Sequence, residues 1–223
     1  MREDARAGTH PIITPIKDVL MADQAFDNIT YQKGQAVIRM LESYVGEAAF
    51  RAGIRAYMKD HAYGNTVTDD LWRELDKTSP TPITQIAHDF TLQAGVPLIR
   101  VTKTKTGLRL TQDRVVDDGS ENPPTSWHVP VVVRSLGGSE LWHGIVSRDA
   151  PADVPLPSGK GGLVNAGQTA YFRTAYDDAS FKDVAAAFSA LAPEDQLGLI
   201  NDARDDGYVN VVPFGQFLTL ASQ

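Results

Sequence analysis

The 223-residue chain carries a formal net charge of −7 and no cysteine. That excludes disulfides, thiolate metal ligands and a cysteine nucleophile, and it argues against nucleic acid or an anionic membrane as the partner. Apolar residues make up 42% and charged residues 22%, as in globular chains, and the length allows more than one small domain. No apolar run is long enough to span a bilayer, and Met1 to Arg6 has no apolar stretch behind its charges that would make a secretory signal. The compartment stays open between the cytoplasm and the periplasm or secretion, and the oligomeric state stays open too.

From Phe26 to Gln93 the apolar residues recur at helical spacing. Ala36, Val37, Met40, Leu41, Tyr44 and Val45 make one stripe, and Phe50, Ile54, Tyr57 and Met58 make a second, with Gly46 ending the first helix. Tyr63-Gly64-Asn65 is a break, after which Thr68 is the expected cap of a helix carrying Leu71, Trp72 and Leu75. Pro80 and Pro82 lead into a helix with Ile83, Ile86, Ala87 and Phe90, and Gly95 and Pro97 stop it. From Leu98 the period falls to two, as Ile99 and Val101 alternate with Arg100 and Thr102, and Thr106-Gly107 turns the chain into a second strand. The polar segment Asp117 to Thr125 reads as a loop. Trp127 to Arg134 pairs with Leu141 to Val146 around Gly137-Gly138, and Ala170 to Tyr176 reads as a last strand. Short strands at this spacing suggest a small β-sandwich. Helices then resume, the first capped by Ser180, the next starting at Pro193 and ending at Gly207, the last running from Pro213 to Leu220.

Generic chemistry finds little purchase. None of the five histidines, His10, His61, His88, His128 and His143, has a second histidine three to five residues away, so the chain has no zinc helix. Pro157 to Gly161 lacks the glycine spacing and the Ser or Thr of a phosphate loop and reads as a turn. Gly138-Ser139-Glu140 is not a nucleophile elbow. Asp202 to Gly207 fails as a calcium loop because Arg204 holds a ligand position. Asp69-Asp70, Asp117-Asp118 and Asp177-Asp178 read as helix starts or loops.

The series Phe26-Asp27-Asn28-Ile29-Thr30-Tyr31-Gln32-Lys33-Gly34, followed by Ala36 to Leu41 and by Gly46-Glu47-Ala48-Ala49-Phe50-Arg51, is more specific. Thr9-His10-Pro11-Ile12 precedes it. Tyr57, Tyr63-Gly64-Asn65, Thr68, Asp70-Leu71-Trp72, Gly95-Val96-Pro97-Leu98, Asn165, Tyr171-Phe172-Arg173 and Tyr176 follow in order. This ordered series resembles the region downstream of the zinc motif in aminopeptidase N-type zinc metallopeptidases, and the resemblance runs through nearly the whole chain.

The resemblance implies an α+β fold in three parts: a helical remnant of a thermolysin-like catalytic domain over 1–95, a β-sandwich over 96–178, and the first helices of an all-α domain over 179–223. It implies that Tyr31 is catalytic, donating a hydrogen bond to the oxyanion of a tetrahedral intermediate, a role that suits a phenol held beside developing charge. The residues alone also allow Tyr31 to be a half-buried aromatic at a helix start. Phe26 matches a position that lines the pocket for the substrate's first side chain, with core packing as its other reading. Lys33, Gly34 and Asp27 read as local geometry, Gly34 as the site of close helix approach. The substrates implied are peptides and the cofactor is zinc in a larger parent. The exopeptidase motif, the zinc ligands and the general base do not occur in this chain, so by this reading it is an inactive piece of that parent with no metal of its own. A noncatalytic binding or scaffold protein of the same architecture is the alternative.

Overall fold

The computed structural model describes residues 1–19, 23, 26–116, 125–139, 141–156 and 161–223. The expected loop at 117–124, including Asp117-Asp118, together with Glu140 and the turn at 157–160, lies outside the described residues. The fold is mixed α+β, with seven α-helices and seven strands among the described residues. The chain divides into two compact units, His10–Ala94, and Met1–Thr9 with Gly95–Gln223.

The unit His10–Ala94 is helical. A π-helical turn, Ile29–Lys33, runs directly into α1 (Gly34–Val45), and α2 (Glu47–Asp60), α3 (Thr68–Thr78) and α4 (Thr84–Thr91) follow. Gly46 separates α1 from α2 with φ of 88°, a conformation that glycine adopts at no steric cost. The core is the set of apolar positions that the helical period groups on one side: Val37, Met40, Leu41, Val45, Phe50, Trp72, Leu75, Ile83, Ile86 and Phe90, all buried. Burial of each large side chain of this kind stabilises by about 1.5–3 kcal/mol.

Two expectations need correction. Thr68 is the first helical residue of α3, not its cap. Val67 occupies the cap position, and the Asp70 carboxylate accepts the Val67 N–H at 2.8 Å, closing the first turn from inside the helix. Gly34 has nothing within 4 Å of the place a Cβ would take, so it is not where helices approach closely. That place is Gly53, where an added Cβ would lie 2.7 Å from Thr78 Oγ1 and 3.1 Å from Leu75 Cα, a backbone atom of α3. Gly53→Val is therefore expected to destabilise the protein by about 1–3 kcal/mol through overpacking, against a gain of a few tenths from helix propensity. A thermal melt followed by circular dichroism checks this, and an unchanged midpoint would show that α2 and α3 do not pack at this spacing.

The other unit holds all the strands. β1 (Pro97–Lys103) and β2 (Gly107–Arg114) are antiparallel, and β5 (Ala152–Pro155) joins β2 while β7 (Arg173–Tyr176) joins β1 in parallel, giving the order β5-β2-β1-β7. The second sheet is β4-β3-β6, from β3 (Val129–Ser135), β4 (Leu141–Val146) and β6 (Gly162–Val164). Alternation decides which side is buried: Leu108 and Leu110 of β2 and Val129, Val131 and Val133 of β3 are all withdrawn from solvent. The sheets meet at Gly162, where a Cβ would lie 2.9 Å from Val133 Cγ1 and 3.0 Å from Leu108 Cδ1. The last strand is shorter than the alternation suggests, since 170–172 stays outside the ladder.

Three helices close this unit: α5 (Asp178–Ala187), α6 (Pro193–Tyr208) and α7 (Gly215–Ala221). Ser180 does not cap α5. Asp177 does, its carboxylate accepting the Ser180 N–H at 2.7 Å and the Lys103 N–H at 3.0 Å. α6 is polar where it meets β7. The Asp202 carboxylate accepts both the N–H and the hydroxyl of Thr174, at 3.0 and 2.8 Å, covering donors that an edge strand would otherwise leave unpaired. Among the described residues no helix is long and apolar enough to cross a membrane.

Candidate functional site

Tyr31 stands out of the helical unit from the π-helical turn. Ile29 and Lys33, four residues apart, are both buried and anchor one side of the turn. Tyr31 is two residues from each, about half a turn around, and so projects to the opposite side. Tyr31 is 59% exposed and Phe26 is 67% exposed. The two rings lie 6.1 Å apart at 33°, forming one exposed aromatic surface. Phe26 therefore does not pack in the core. Single-turn π segments of this kind are frequent at functional sites.

Lys33 is held as local geometry requires. Its stem is buried and its ammonium donates to the Gln93 carbonyl at 3.1 Å, fixing the start of α1 against the segment after α4. Asp27 precedes the turn, and its carboxylate accepts the Thr30 N–H at 2.8 Å, while the Asp27 carbonyl accepts the Tyr31 N–H at 3.1 Å. Burial opposes ionisation of Asp27, but the bonds from Thr30 and from His10 outweigh it and hold its carboxyl below the usual carboxylate range. His10 Nε2 lies 2.5 Å from Asp27 Oδ2 and His10 Nδ1 lies 2.8 Å from the Pro11 carbonyl oxygen. The residues His10, Asp27 and Thr30 thus form a chain of contacts behind the exposed phenol. From sequence, His10 and Asp27 are only neighbours in a motif; their contact across seventeen positions had no local signal.

A phenol on such a surface is a hydrogen-bond donor with its apolar ring edge towards a partner. Among the described residues no three His, Asp or Glu side chains come together in a way that could hold a metal ion.

Residues 1–90 match the peptidase family M1 domain. The chain carries part of a peptidase M1 domain. Its curated relatives extend the similarity through the strands and last helices. The chain is 33% identical over 202 residues to tricorn protease-interacting factor F2 of Thermoplasma volcanium, which covers 91% of this chain and 25% of that protein. It is 31% identical to the puromycin-sensitive aminopeptidase of Caenorhabditis elegans, over 96% of this chain and 24% of the relative. It is 32% identical to aminopeptidase M1-A of Oryza sativa, over 89% of this chain and 24% of the relative. The chain thus spans about a quarter of the length of the curated relatives it matches. The M1 match includes Phe26, Tyr31, His10 and Asp27.

The strand-bearing unit has a polar cluster that joins Arg173 of the matching series to Asp205 and Asp206 of α6. Arg173 of β7 is buried and donates to Asp206 at 3.2 Å and to Asp205 at 3.5 Å, and Asp205 also pairs with Arg2 and Arg204. Burial raises the Asp202 and Asp206 carboxyls above the ordinary range, Asp202's charge raises Asp206 further, and Arg173 pulls against both shifts. Asp4 is a second buried hub, accepting the Gly95 N–H at 2.9 Å and the Tyr171 hydroxyl at 3.1 Å. Burial, with the Asp4 charge beside it, holds the Tyr171 hydroxyl far above the ordinary tyrosine range. Both clusters tie chain termini to the sheet, and neither carries an exposed reactive group.

Proposed function

We propose that this chain is the part of a zinc-dependent aminopeptidase that supplies Tyr31 and Phe26 to the active site, in a protein that removes amino-terminal residues from peptides. The observation that carries the reading is the exposed Tyr31–Phe26 aromatic pair on a π-helical turn, within a segment that matches a peptidase M1 domain. The names of two relatives, a puromycin-sensitive aminopeptidase and an aminopeptidase M1-A, support the substrate class. Residues 1–95 are then the helical end of a thermolysin-like catalytic domain, 96–178 a β-sandwich built from the two sheets, and 179–223 the beginning of an all-α domain.

Tyr31 acts on the carbonyl oxygen. As the peptide carbon becomes tetrahedral, charge builds on that oxygen, and the phenol O–H donates to it more strongly than to the neutral carbonyl. Phe26 forms one wall for the first side chain of the substrate. Zinc, the general base and the group that holds the free amino terminus belong to residues other than those described here, and the 223-residue chain by itself is expected to be inactive.

Hydrolysis of aminoacyl 4-nitroanilides by the full-length protein, compared with the same compounds acetylated on the amino group, tests the reading. Turnover of the free-amine substrates alone is expected. No turnover of either by the metal-loaded protein would leave the scaffold reading standing instead. Phe26→Ala is expected to reduce kcat/KM for large apolar amino-terminal residues by about 10-fold or more, with little change for alanine. An equal loss for all substrates would remove Phe26 from the pocket.

A further inference from the structure

We propose that His10 is a positioning residue for Tyr31, acting as an imidazolium that clamps Asp27 and, through Asp27, the turn that presents the phenol. This rests on the reading of Tyr31 as the donor to the substrate oxygen.

A neutral imidazole has one donor and one acceptor. His10 Nδ1 lies 2.8 Å from the Pro11 carbonyl oxygen, and His10 Nε2 lies 2.5 Å from Asp27 Oδ2. A carbonyl oxygen only accepts, and so does an ionised carboxylate. Asp27 is held in its ionised form, with the Thr30 N–H on its other oxygen. Both ring nitrogens of His10 must therefore donate, and only the imidazolium does that. Removal of one proton would leave an acceptor facing an acceptor at one end of the ring.

Charged groups on the neighbouring elements make contacts of their own. The segment from His10 runs against the end of α4, where the Ile13 N–H donates to the Thr91 carbonyl at 2.9 Å. On α4, His88 pairs with Asp69, and Asp89 accepts from Gln85 and Gln93. On the turn, the Lys33 ammonium donates to the Gln93 carbonyl. His10 Nε2 pairs with the Asp27 carboxylate.

The clamp acts on placement and not on folding. Ile29 and Lys33 keep the turn anchored whether or not Asp27 is held, since both are buried in the helical unit. What Asp27 governs is the Thr30 N–H, one residue before Tyr31, and hence the direction of the phenol. Displacement of a catalytic group by about 1 Å is enough to lower turnover by about a hundredfold.

Two measurements test this. In the 223-residue chain labelled with 15N-histidine, nuclear magnetic resonance at pH 7 is expected to show protons on both nitrogens of His10, and Tyr31 ring resonances that move as His10 titrates. In Asp27→Asn, His10 is expected to become a single neutral tautomer at lower pH, with Tyr31 no longer following. A bare nitrogen on wild-type His10 at pH 7, or Tyr31 resonances indifferent to its titration, would overturn the proposal. In the full-length protein, His10→Gln is expected to lower kcat by about tenfold to a hundredfold with KM nearly kept, and to remove an alkaline limb from the kcat profile. Wild-type kcat in that variant would also overturn it. Failure of the functional reading looks different: Tyr31→Phe would then turn over normally while the His10 resonances remained as expected.

Discussion

Tyr31→Phe in the full-length protein is expected to lower kcat by about 100- to 1000-fold while KM stays within a few-fold of wild type. Loss of one oxyanion donor in other acyl-transfer sites removes about 2.7–4 kcal/mol of transition-state stabilisation, and that range sets the estimate. The split between the two constants follows from where the bond is made. The ground-state carbonyl is a weak acceptor and binding loses little without the phenol, whereas the tetrahedral oxygen carries the charge that the phenol meets. The substitution removes one oxygen atom from a residue that is 59% exposed, so it leaves the core untouched and stability is expected to stay within about 0.5 kcal/mol of wild type. Steady-state kinetics on a free-amine substrate, with a thermal melt of the same preparation, checks both halves. Turnover near that of wild type would take Tyr31 out of the chemistry. A rise in KM with kcat unchanged would make it a binding residue.

Most of the helical unit was legible in the sequence because its apolar positions obey one period. Val37, Met40, Leu41 and Val45 are buried as the stripe requires, and Gly46 ends the helix where the stripe breaks. Asp69-Asp70 and Asp177-Asp178 were legible as helix starts, but which residue holds the cap position was not. At Thr68 and Ser180 a hydroxyl sits near a helix start, yet in each case a nearby carboxylate does the capping, from Asp70 and Asp177. A charged acceptor makes the stronger bond to a backbone N–H than a hydroxyl does, and sequence spacing alone does not say which residue has the extended backbone of a cap, here Val67 and Asp177. Gly34 and Gly53 show the same limit. Which glycine lies under a neighbouring helix depends on a tertiary contact between α2 and α3, and nothing within either helix announces it.

The candidate residues were named from the sequence, but their geometry was not legible there. Tyr31 and Phe26 stand out only through an ordered series of matches, since an isolated aromatic at a helix start is commonplace. The widening of the helix to a π turn has no counterpart in the apolar period, because Ile29 and Lys33 would share a side in an ordinary α-helix as well. Lys33 itself would be assigned to the surface by composition. It is buried because its stem packs along the helical unit while its ammonium reaches a carbonyl. The contact of His10 with Asp27 and the cluster at Arg173 join residues far apart in sequence, where local pattern is silent.

That cluster gives the largest expected loss of stability. Arg173→Leu removes the cation from beside the buried carboxylate of Asp206, and breaking a buried pair from one side costs about 3–5 kcal/mol because the remaining charge has no partner, whereas the half-buried Asp205 keeps Arg2 and Arg204. Asp206 Oδ2 is already buried with no hydrogen-bond partner among the described residues, so the carboxyl has no second bond to fall back on. The loss should depend on pH. Asp202 and Asp206 have raised values in the folded state, so the folded protein binds their protons more tightly than the unfolded chain does. Their contribution is fully present below the ordinary carboxylate value of about 3.9 and is lost as pH rises through the raised folded values. Without Arg173, which pulls both values down, the shift is larger and the loss with rising pH steeper. Urea unfolding of the 223-residue chain at pH 5 and pH 7.5 is therefore expected to show a smaller difference between wild type and Arg173→Leu at pH 5. The companion variant Arg173→Leu with Asp206→Leu removes both charges, and it should recover most of the stability at pH 7.5 if an unpaired carboxylate is the cause. A double variant as unstable as the single one would instead assign the loss to the packing of the arginine stem against β7.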